Sequence, residues 1–219
     1  MVKQTDPKHV FWQALVFTIF IFGIGLMSGL FIEGSRLSDV EISAINSEID
    51  LLDAKLRNEV MNSFDIECDV TLSSTFDFAD KIYDDAIKLE RFDEESSLIN
   101  TFRSIHRRYD LLRTILWVEI IELKKQCDSD IHTVVYLYEY KTESAETEAR
   151  QNLYSAVTED LKSKYDNEIL LIPIAVNLDV SALDMILTKY ALTEFPAIIV
   201  DETHTLDGLI TIEDLEELI

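Results

Sequence analysis

Hydrophobic and polar positions divide the chain into three parts with different periods. In the first part, residues 10–32 read VFWQALVFTIFIFGIGLMSGLFI and contain no charged side chain. A helix of this length measures roughly 34 Å, enough to cross a hydrocarbon core of about 30 Å. We expect a transmembrane helix in contact with the lipid bilayer, because core helices of soluble proteins rarely run so far without a charge.

The residues that flank this segment predict its orientation. Lys3, Lys8 and the terminal amine precede it, whereas Arg36 follows it among acidic residues. The positive-inside rule therefore puts residues 1–9 in the cytoplasm and residues 33–219 outside the cell membrane. The apolar stretch is longer than that of a cleaved signal peptide and lacks an A-x-A site, which predicts an uncleaved signal anchor.

Gly25 and Gly29 within this segment have the G-x-x-x-G spacing. This spacing lets the backbones of two membrane helices approach closely. Glycines of a membrane helix that makes no such contact can have the same spacing. Both interpretations, a dimer contact and ordinary membrane glycines, therefore stay open.

The second part, residues 33–130, repeats apolar positions at helical intervals. The pattern predicts helices over residues 37–64, 76–92 and 96–125, the first of which continues from the membrane segment. We expect the apolar stripe of the first helix to pack against the third helix. A coiled coil between two copies of the chain, and so a homodimer, is the alternative. The stripe consists of Ile45, Ile49, Leu52, Leu56, Val60 and Phe64.

Both cysteines of the chain belong to this helical part. Cys68 follows the first predicted helix and Cys127 follows the third. An oxidising compartment would permit a disulfide between them. In the chain-entropy model, closing a loop of this length would add roughly 4 kcal/mol of stability. Two free thiols are the alternative, and a catalytic dithiol is disfavoured because reactive pairs usually form a C-x-x-C at a helix N-terminus.

From residue 131 onward strand and helix patterns alternate, in the order βαβ, a helix, then ββα. The chain is therefore predicted to be an α/β protein with a helical region between its membrane helix and its C-terminal domain. Strands are predicted over residues 131–140, 168–176, 197–200 and 203–206, and helices over residues 142–164 and 180–190 and from residue 212.

Residues 131–219 resemble the thioredoxin fold. The resemblance rests on the aromatic strand VVYLYEY, the stretch VNLDVSALDMILTKYALTEFPAIIVDE and the closing GLITIEDLEEL. In that superfamily a helix ending in tyrosine, here Tyr190, precedes a cis proline and an apolar strand. The resemblance implies that the peptide between Phe195 and Pro196 is cis. It also implies that Pro173 lies on an edge strand, where a missing N–H is tolerated.

The chain departs from this family at the position of the catalytic C-x-x-C. Ser144 and Thr147 occupy the two cysteine positions in the best register, and no cysteine follows Cys127. A hydroxyl is too weakly acidic to replace a thiolate, so this domain cannot carry out thiol–disulfide exchange. Capping of the following helix is the expected role of these hydroxyls. The chain also resembles membrane-anchored thioredoxin-like proteins with helical stalks predicted from archaeal genomes.

Composition excludes several other functions. With 42 acidic and 19 basic residues the net charge is −23, which disfavours nucleic-acid binding. Five glycines, four of them near the start, provide no phosphate-binding loop. Four histidines without metal-ligand spacing predict no metal site, and no cofactor is expected. The charged stretch from His106 to Asp110 is interpreted as a solvated helix face.

These observations favour a membrane-anchored, non-catalytic protein that binds a protein or peptide partner beside Pro196. Two alternatives remain open. The first is a redox protein that uses Cys68 and Cys127 as an exchangeable pair. The second is a structural protein in which the helices form a dimeric stalk.

Overall fold

The computed structural model describes residues 7–64, 66–93, 99–127 and 129–219. Within these residues the chain forms six α-helices, one 3₁₀ turn and four strands. The helices are α1 (Pro7–Ser63), α2 (Cys68–Asp93), α3 (Ile99–Gln126), α4 (Ala145–Tyr165), α5 (Ser181–Tyr190) and α6 (Ile212–Glu216), and the 3₁₀ turn is Asp166–Glu168. The strands are β1 (His132–Tyr138), β2 (Ile169–Ala175), β3 (Ala197–Val200) and β4 (His204–Leu206).

The chain divides into two compact units, Met1–Asn46 and Ser47–Ile219. The first unit contains Phe11–Ile32, a helical stretch with a mean hydropathy of 2.4 that is long and apolar enough to cross a membrane. Membrane anchors and signal sequences share these two properties. Residues 1–6 of the predicted cytoplasmic tail lie outside the described residues. A Cβ at Gly25 or Gly29 would meet no atom within 4 Å, so neither glycine is required by packing inside the chain.

The second unit contains a four-stranded mixed sheet in the order β2-β1-β3-β4. Strand β1 runs parallel to β2 and antiparallel to β3, and β3 runs antiparallel to β4. Strands β1 and β3 are central, and their β-branched and aliphatic residues are buried on both faces. Pro173 lies in β2, on an edge of the sheet, where its missing N–H leaves no ladder bond unmade.

Helices α4 and α6 cover one face of this sheet. Tyr154 and Leu161 of α4 and Leu215 of α6 are fully buried against residues of β1 and β3. Helix α4 begins at Ser144, whose hydroxyl accepts a hydrogen bond from the Thr147 N–H, and its last turn carries two lysines that complement the helix dipole.

Helix α3 covers the other face. It packs against β2 and β1, and α2 lies along its outer side. Trp117 of α3 is completely buried and its ring stacks on Tyr190 of α5, with centroids 6.3 Å apart. Helix α3 is therefore the central element of the second unit, since it contacts the sheet and both neighbouring helices.

A buried carboxylate joins the first three helices within this unit. Glu119 of α3 is fully buried, and Arg57 of α1 donates to it from Nε at 2.8 Å and from Nη2 at 2.7 Å. The Thr75 hydroxyl of α2 donates to the same carboxylate at 3.3 Å. The guanidinium also lies 4.1 Å from the Phe78 ring centroid, a cation–π contact. A bidentate pair with further donors is the arrangement that offsets the cost of burying a carboxylate.

Two predictions about the helical part are wrong. The apolar stripe of α1 does not pack against α3, because Ile49, Leu52 and Leu56 are more than half exposed. The side that meets the other helices carries Ala54, which is buried, and Arg57, which pairs with Glu119. Helix α2 begins at Cys68 and not near residue 76, and the hydroxyls of Thr71 and Thr75 donate to the carbonyl groups four residues earlier.

Removal of one partner of the Arg57–Glu119 pair should destabilise the protein strongly. For Arg57→Met we expect a loss of roughly 3 kcal/mol in the free energy of unfolding, because Glu119 is left as a buried, under-compensated charge. Urea unfolding of the full chain in detergent micelles, followed by Trp117 fluorescence, measures this loss.

The matched control is Lys125→Met, which removes the partner of Glu122 in a surface pair of α3 whose two side chains are 65% and 47% exposed. This change should cost less than about 1 kcal/mol. Equal effects of the two substitutions would contradict the assignment of the Arg57–Glu119 pair as the main link between the helices.

Candidate functional site

The polar features of the sheet concentrate at the carboxyl end of β1. Leu137 near the end of β1 pairs with Ala197 at the start of β3, so Pro196 lies beside the end of β1. The peptide between Phe195 and Pro196 is cis, and the Pro196 side chain is buried. Helix α4 starts at this same end of the sheet. The residues singled out for the family resemblance, Ser144 and Pro196, are therefore brought to one end of the domain by the topology.

Two amide side chains hold the backbone that leaves β1. Gln151 of α4 accepts from the Glu139 N–H at 2.8 Å and donates to the Glu139 carbonyl at 3.2 Å. Asn177 accepts from the Tyr140 N–H at 2.8 Å and donates to the Tyr140 carbonyl at 2.9 Å. Each amide thus replaces a neighbouring strand for one residue, and the loop that follows starts from a fixed point.

The loop between residues 141 and 144 carries no thiol. Lys141 has a left-handed backbone with φ 48°, and the Thr142 hydroxyl accepts from the Ser144 N–H at 3.3 Å. The Ser144 hydroxyl accepts from the Thr147 N–H at 3.2 Å. Acidic side chains at Glu146 and Glu148 follow in the first turn of α4 and already complement the helix dipole. This surface can therefore offer hydrogen bonds and shape to a partner, but no thiol for disulfide exchange.

Helix α3 closes the same end of the sheet from the other face. The Arg103 guanidinium donates to the Asn177 carbonyl at 2.8 Å, and the His106 ring lies 4.3 Å from the Tyr140 ring. One turn further on, Asp110 accepts from the N–H of Ala175 at 3.2 Å. These residues were missed by the sequence analysis, which interpreted the stretch from His106 to Asp110 as solvated. That interpretation is wrong for Asp110, which is 1% exposed.

The Asp110 carboxyl is held in an unusual ionisation environment. Burial raises its pKa to about 6, against which the nearby Arg113 charge and the Ala175 N–H act. The Arg113 contact is long, 3.4 Å, and Oδ2 of the carboxyl has no hydrogen-bond partner among the described residues. The effect of burial on the pKa exceeds that of the partners, because they supply too few hydrogen bonds to stabilise the anion.

The opposite end of the sheet is tied to α3 by a second charged cluster. Asp201, at the turn after β3, accepts from Lys124 at 2.6 Å, from the Thr133 N–H at 2.9 Å and lies 2.6 Å from the His132 ring nitrogen. Partial burial acts to raise the pKa of Asp201, but hydrogen bonds from Lys124, Thr133 and His132 outweigh it and leave this pKa below its usual value. None of these partners is a neighbour of Asp201 in the chain, so the local sequence does not reveal this cluster.

Cys68 and Cys127 are joined in a disulfide, with their Cα atoms 5.8 Å apart. Cys68 is the first residue of α2 and Cys127 directly follows α3. Cys127 thus lies near the Lys124 end of α3, whereas Pro196 lies at the Asp110 end. The disulfide is therefore separated from the surface beside Pro196 by the length of the sheet. No group of three or more metal-binding side chains occurs in the ranges that the structure describes.

Comparisons with known proteins add little to this geometry. No family model matches the chain, and no curated protein matches it. Among solved structures, one described as "Structure of a malarial protein" matches with a TM-score of 0.32 and 17% identity, over 40% of this chain and 92% of the other. Similarity at this level supports no inference about function.

The buried Asp110 carboxyl should make stability depend on pH. Its pKa is higher in the folded protein than in the unfolded chain, so the folded state holds a proton that the unfolded state releases. The contribution of Asp110 to the free energy of unfolding should therefore be fully present at low pH and should be lost as the pH rises from about 4 to about 6. Asp110→Asn should remove this fall, a difference of roughly 3 kcal/mol between wild type and variant across that range.

Asp201→Asn provides a control of opposite sign. Because the Asp201 pKa is lowered on folding, its contribution to stability is present at neutral pH and lost as the pH falls. Urea unfolding at several pH values measures both variants against wild type. The other carboxyl groups are the same in all three proteins, so their contributions cancel in the comparison. The same pH dependence in Asp110→Asn and wild type would contradict the assignment.

Proposed function

We propose that this chain is a membrane-anchored, redox-inactive protein with a thioredoxin-like domain, residues 131–219, that binds a protein or peptide partner beside Pro196. In this proposal Phe11–Ile32 is an uncleaved anchor with the N-terminus in the cytoplasm and the folded unit outside. The pairing of Leu137 with Ala197 carries the proposal, because it brings the proline loop next to the end of β1 in a chain without a free cysteine.

Three features support the thioredoxin-like assignment. The strand order β2-β1-β3-β4, the parallel β1 and β2, and the antiparallel β3 and β4 are the arrangement that the resemblance implies. Helices α4 and α6 share one face. Tyr190 ends α5, and its hydroxyl donates to the Glu202 carbonyl, which ties this helix to the turn after β3.

The absence of a redox role follows from chemistry in this proposal. Ser144 and Thr147 stand where the family has cysteines, and the Ser144 hydroxyl already caps α4. In the family this segment carries the cysteines used for disulfide exchange. In this chain it is a fixed polar loop, held by the side-chain amides of Gln151 and Asn177. Such a loop suits recognition, since its hydrogen-bonding groups are held in place before a partner arrives.

Site-specific photo-crosslinking in the native membrane tests this proposal. A photoreactive residue at Thr142, beside the proline loop, should form a discrete adduct with the partner. One at Asn167, which is exposed at the opposite end of the sheet, should not. Phe195→Glu should abolish the Thr142 adduct because it adds a charge to the proposed contact surface.

Equal adducts from Thr142 and Asn167 would count against a partner site beside Pro196. Purified protein should also fail to accelerate the reduction of insulin by dithiothreitol. Acceleration that disappears in the Cys68→Ala/Cys127→Ala variant would favour the redox alternative, for which the exposure of Cys68 at the start of α2 is the supporting observation.

A second candidate function, a dimeric stalk, is favoured by the exposed stripe on α1. Ile49, Leu52 and Leu56 are 56%, 62% and 58% exposed and lie roughly 140–160° around the helix from the buried Ala54. Together with Ile45 they alternate at intervals of four and three residues, which is the a/d spacing of a coiled coil. A second copy held in the same membrane would bring a matching stripe.

Oxidative cross-linking tests the stalk in the native membrane. Leu52→Cys should give covalent dimers on mild oxidation, because equivalent d positions of a parallel coiled coil face each other. Lys55→Cys is the matched control and should give far fewer dimers, because Lys55 is exposed at the flanking g position, about 60° around the helix from Leu52, where equivalent residues of two copies lie farther apart. Equal yields from the two positions would rule out a pairing through this stripe.

A further inference from the structure

A groove of about 560 Å³ runs along the free edge of β2 and shares Gln151 with the surface beside Pro196. Its floor is formed by Leu171 and Pro173 of β2, and its walls are α2 on one side and α4 on the other. Phe76 and Tyr83 provide aromatic surface on the α2 wall. The volume lies within the range of small-ligand and peptide sites.

The backbone groups of β2 that face this groove follow from its hydrogen bonds. In a parallel pair, alternate residues direct both their N–H and their C=O toward the neighbouring strand. The Ala175 N–H donates to Asp110, and the Ile169 carbonyl accepts from Lys162 at 2.9 Å, so neither group faces β1. The residues of the same parity, Leu171 and Pro173, therefore also direct their backbone groups away from β1.

Both ends of this free edge are already occupied. Asp110 takes the N–H at the Ala175 end, and Lys162 takes the carbonyl at the Ile169 end. Pro173 has no N–H to donate. Between these two occupied groups, three groups have no partner in the described part of the chain: the N–H and C=O of Leu171 and the C=O of Pro173. The open stretch is about three residues long, too short for a full strand and long enough for a short extended peptide.

A buried cation with few partners opens into the same groove. Arg113 of α3 is 7% exposed and lines the groove, and its hydrogen bonding to described residues is limited to the long 3.4 Å contact with Asp110. A guanidinium has five N–H donors, so most of its capacity is unused. Glu119, less than two turns along the same helix, shows how fully this protein pairs a buried charge elsewhere. The unused donors of Arg113 are accessible from the groove, where a ligand group can accept them.

We propose that the β2 edge groove binds a short extended peptide that pairs with Leu171 and presents a carboxylate side chain to Arg113. Main-chain hydrogen bonds to Leu171 and Pro173 hold the peptide, and the planar guanidinium selects the carboxylate. Asp80 and Glu159 also line the groove, so a singly charged carboxylate fits better than a phosphate dianion, which they would repel. This site goes beyond the proposed partner surface and does not depend on it.

Two probe peptides that differ in one group test the proposal on the full chain in lipid nanodiscs. The probes are acetyl-Val-Glu-Val-amide and acetyl-Val-Gln-Val-amide. The Glu peptide should bind at least about tenfold more tightly than the Gln peptide, because a hydrogen-bonded pair with a charged group exceeds its neutral counterpart by that much. In NMR titrations the Leu171 amide should shift, whereas the Thr142 amide should not.

Three variants separate this site from the rest of the protein. Arg113→Gln should remove the preference for the Glu peptide. Ala79→Trp adds a large side chain on the α2 wall without changing the Asp110–Arg113 pair, and it should abolish binding of both probes. It tests whether the probes bind in the groove even if Arg113→Gln does not fold. Arg103→Gln, at the carboxyl end of β1, is the matched control and should bind like wild type. A preference that persists in Arg113→Gln, equal binding of the two probes to wild type, or no saturable binding up to about 10 mM would each overturn the proposal.

Discussion

The Glu119 carboxylate is fully buried, and the arrangement of the helices in the second unit depends on satisfying its charge. A carboxylate in such a place costs several kcal/mol unless charged donors reach it. Arg57 supplies two of them and Thr75 a third, so α1 and α2 are both fixed to α3 by one group. Helix α3 in turn is joined to the sheet by Asp110 at one end and by Lys124 at the other. Loss of the Glu119 charge would therefore remove this link to both helices, although α2 would still be held to α3 by the Cys68–Cys127 disulfide.

Helix α3 carries two buried carboxylates that are treated differently. Glu119 is saturated with donors, whereas Asp110 has one oxygen without a partner and a raised pKa. The arginine beside Asp110 is paired as sparsely as the acid. Buried polar groups in folded proteins are nearly always satisfied, so the unpaired Asp110 oxygen marks strain, an internal water or a missing ligand group. Asp110 and Arg113 both border the free edge of β2, one of the two edges of the sheet.

The sequence predicted the sheet well and the helical part less well, for a physical reason. Strand positions such as 197–200 are apolar, β-branched and flanked by turn residues, so the local pattern is enough to locate them. The pairing of Cys68 with Cys127 could also be predicted, because no other cysteine competes. Arg57 and Glu119, in contrast, are separated by 62 residues and look like ordinary surface charges in a helical pattern. The groups around Pro196 and in the groove are likewise set by contacts between distant elements, which no local period reveals.

The short open stretch on β2 has a consequence for how copies of the chain interact at high concentration. Open strand edges template intermolecular sheets, and crowding favours that reaction. Here Lys162, Pro173 and Asp110 leave only about three residues open on β2, and the opposite edge strand, β4, is itself only three residues long. Neither edge offers a run that a neighbouring copy can extend into a long sheet. The fold therefore disfavours polymerisation into fibrils through its sheet edges.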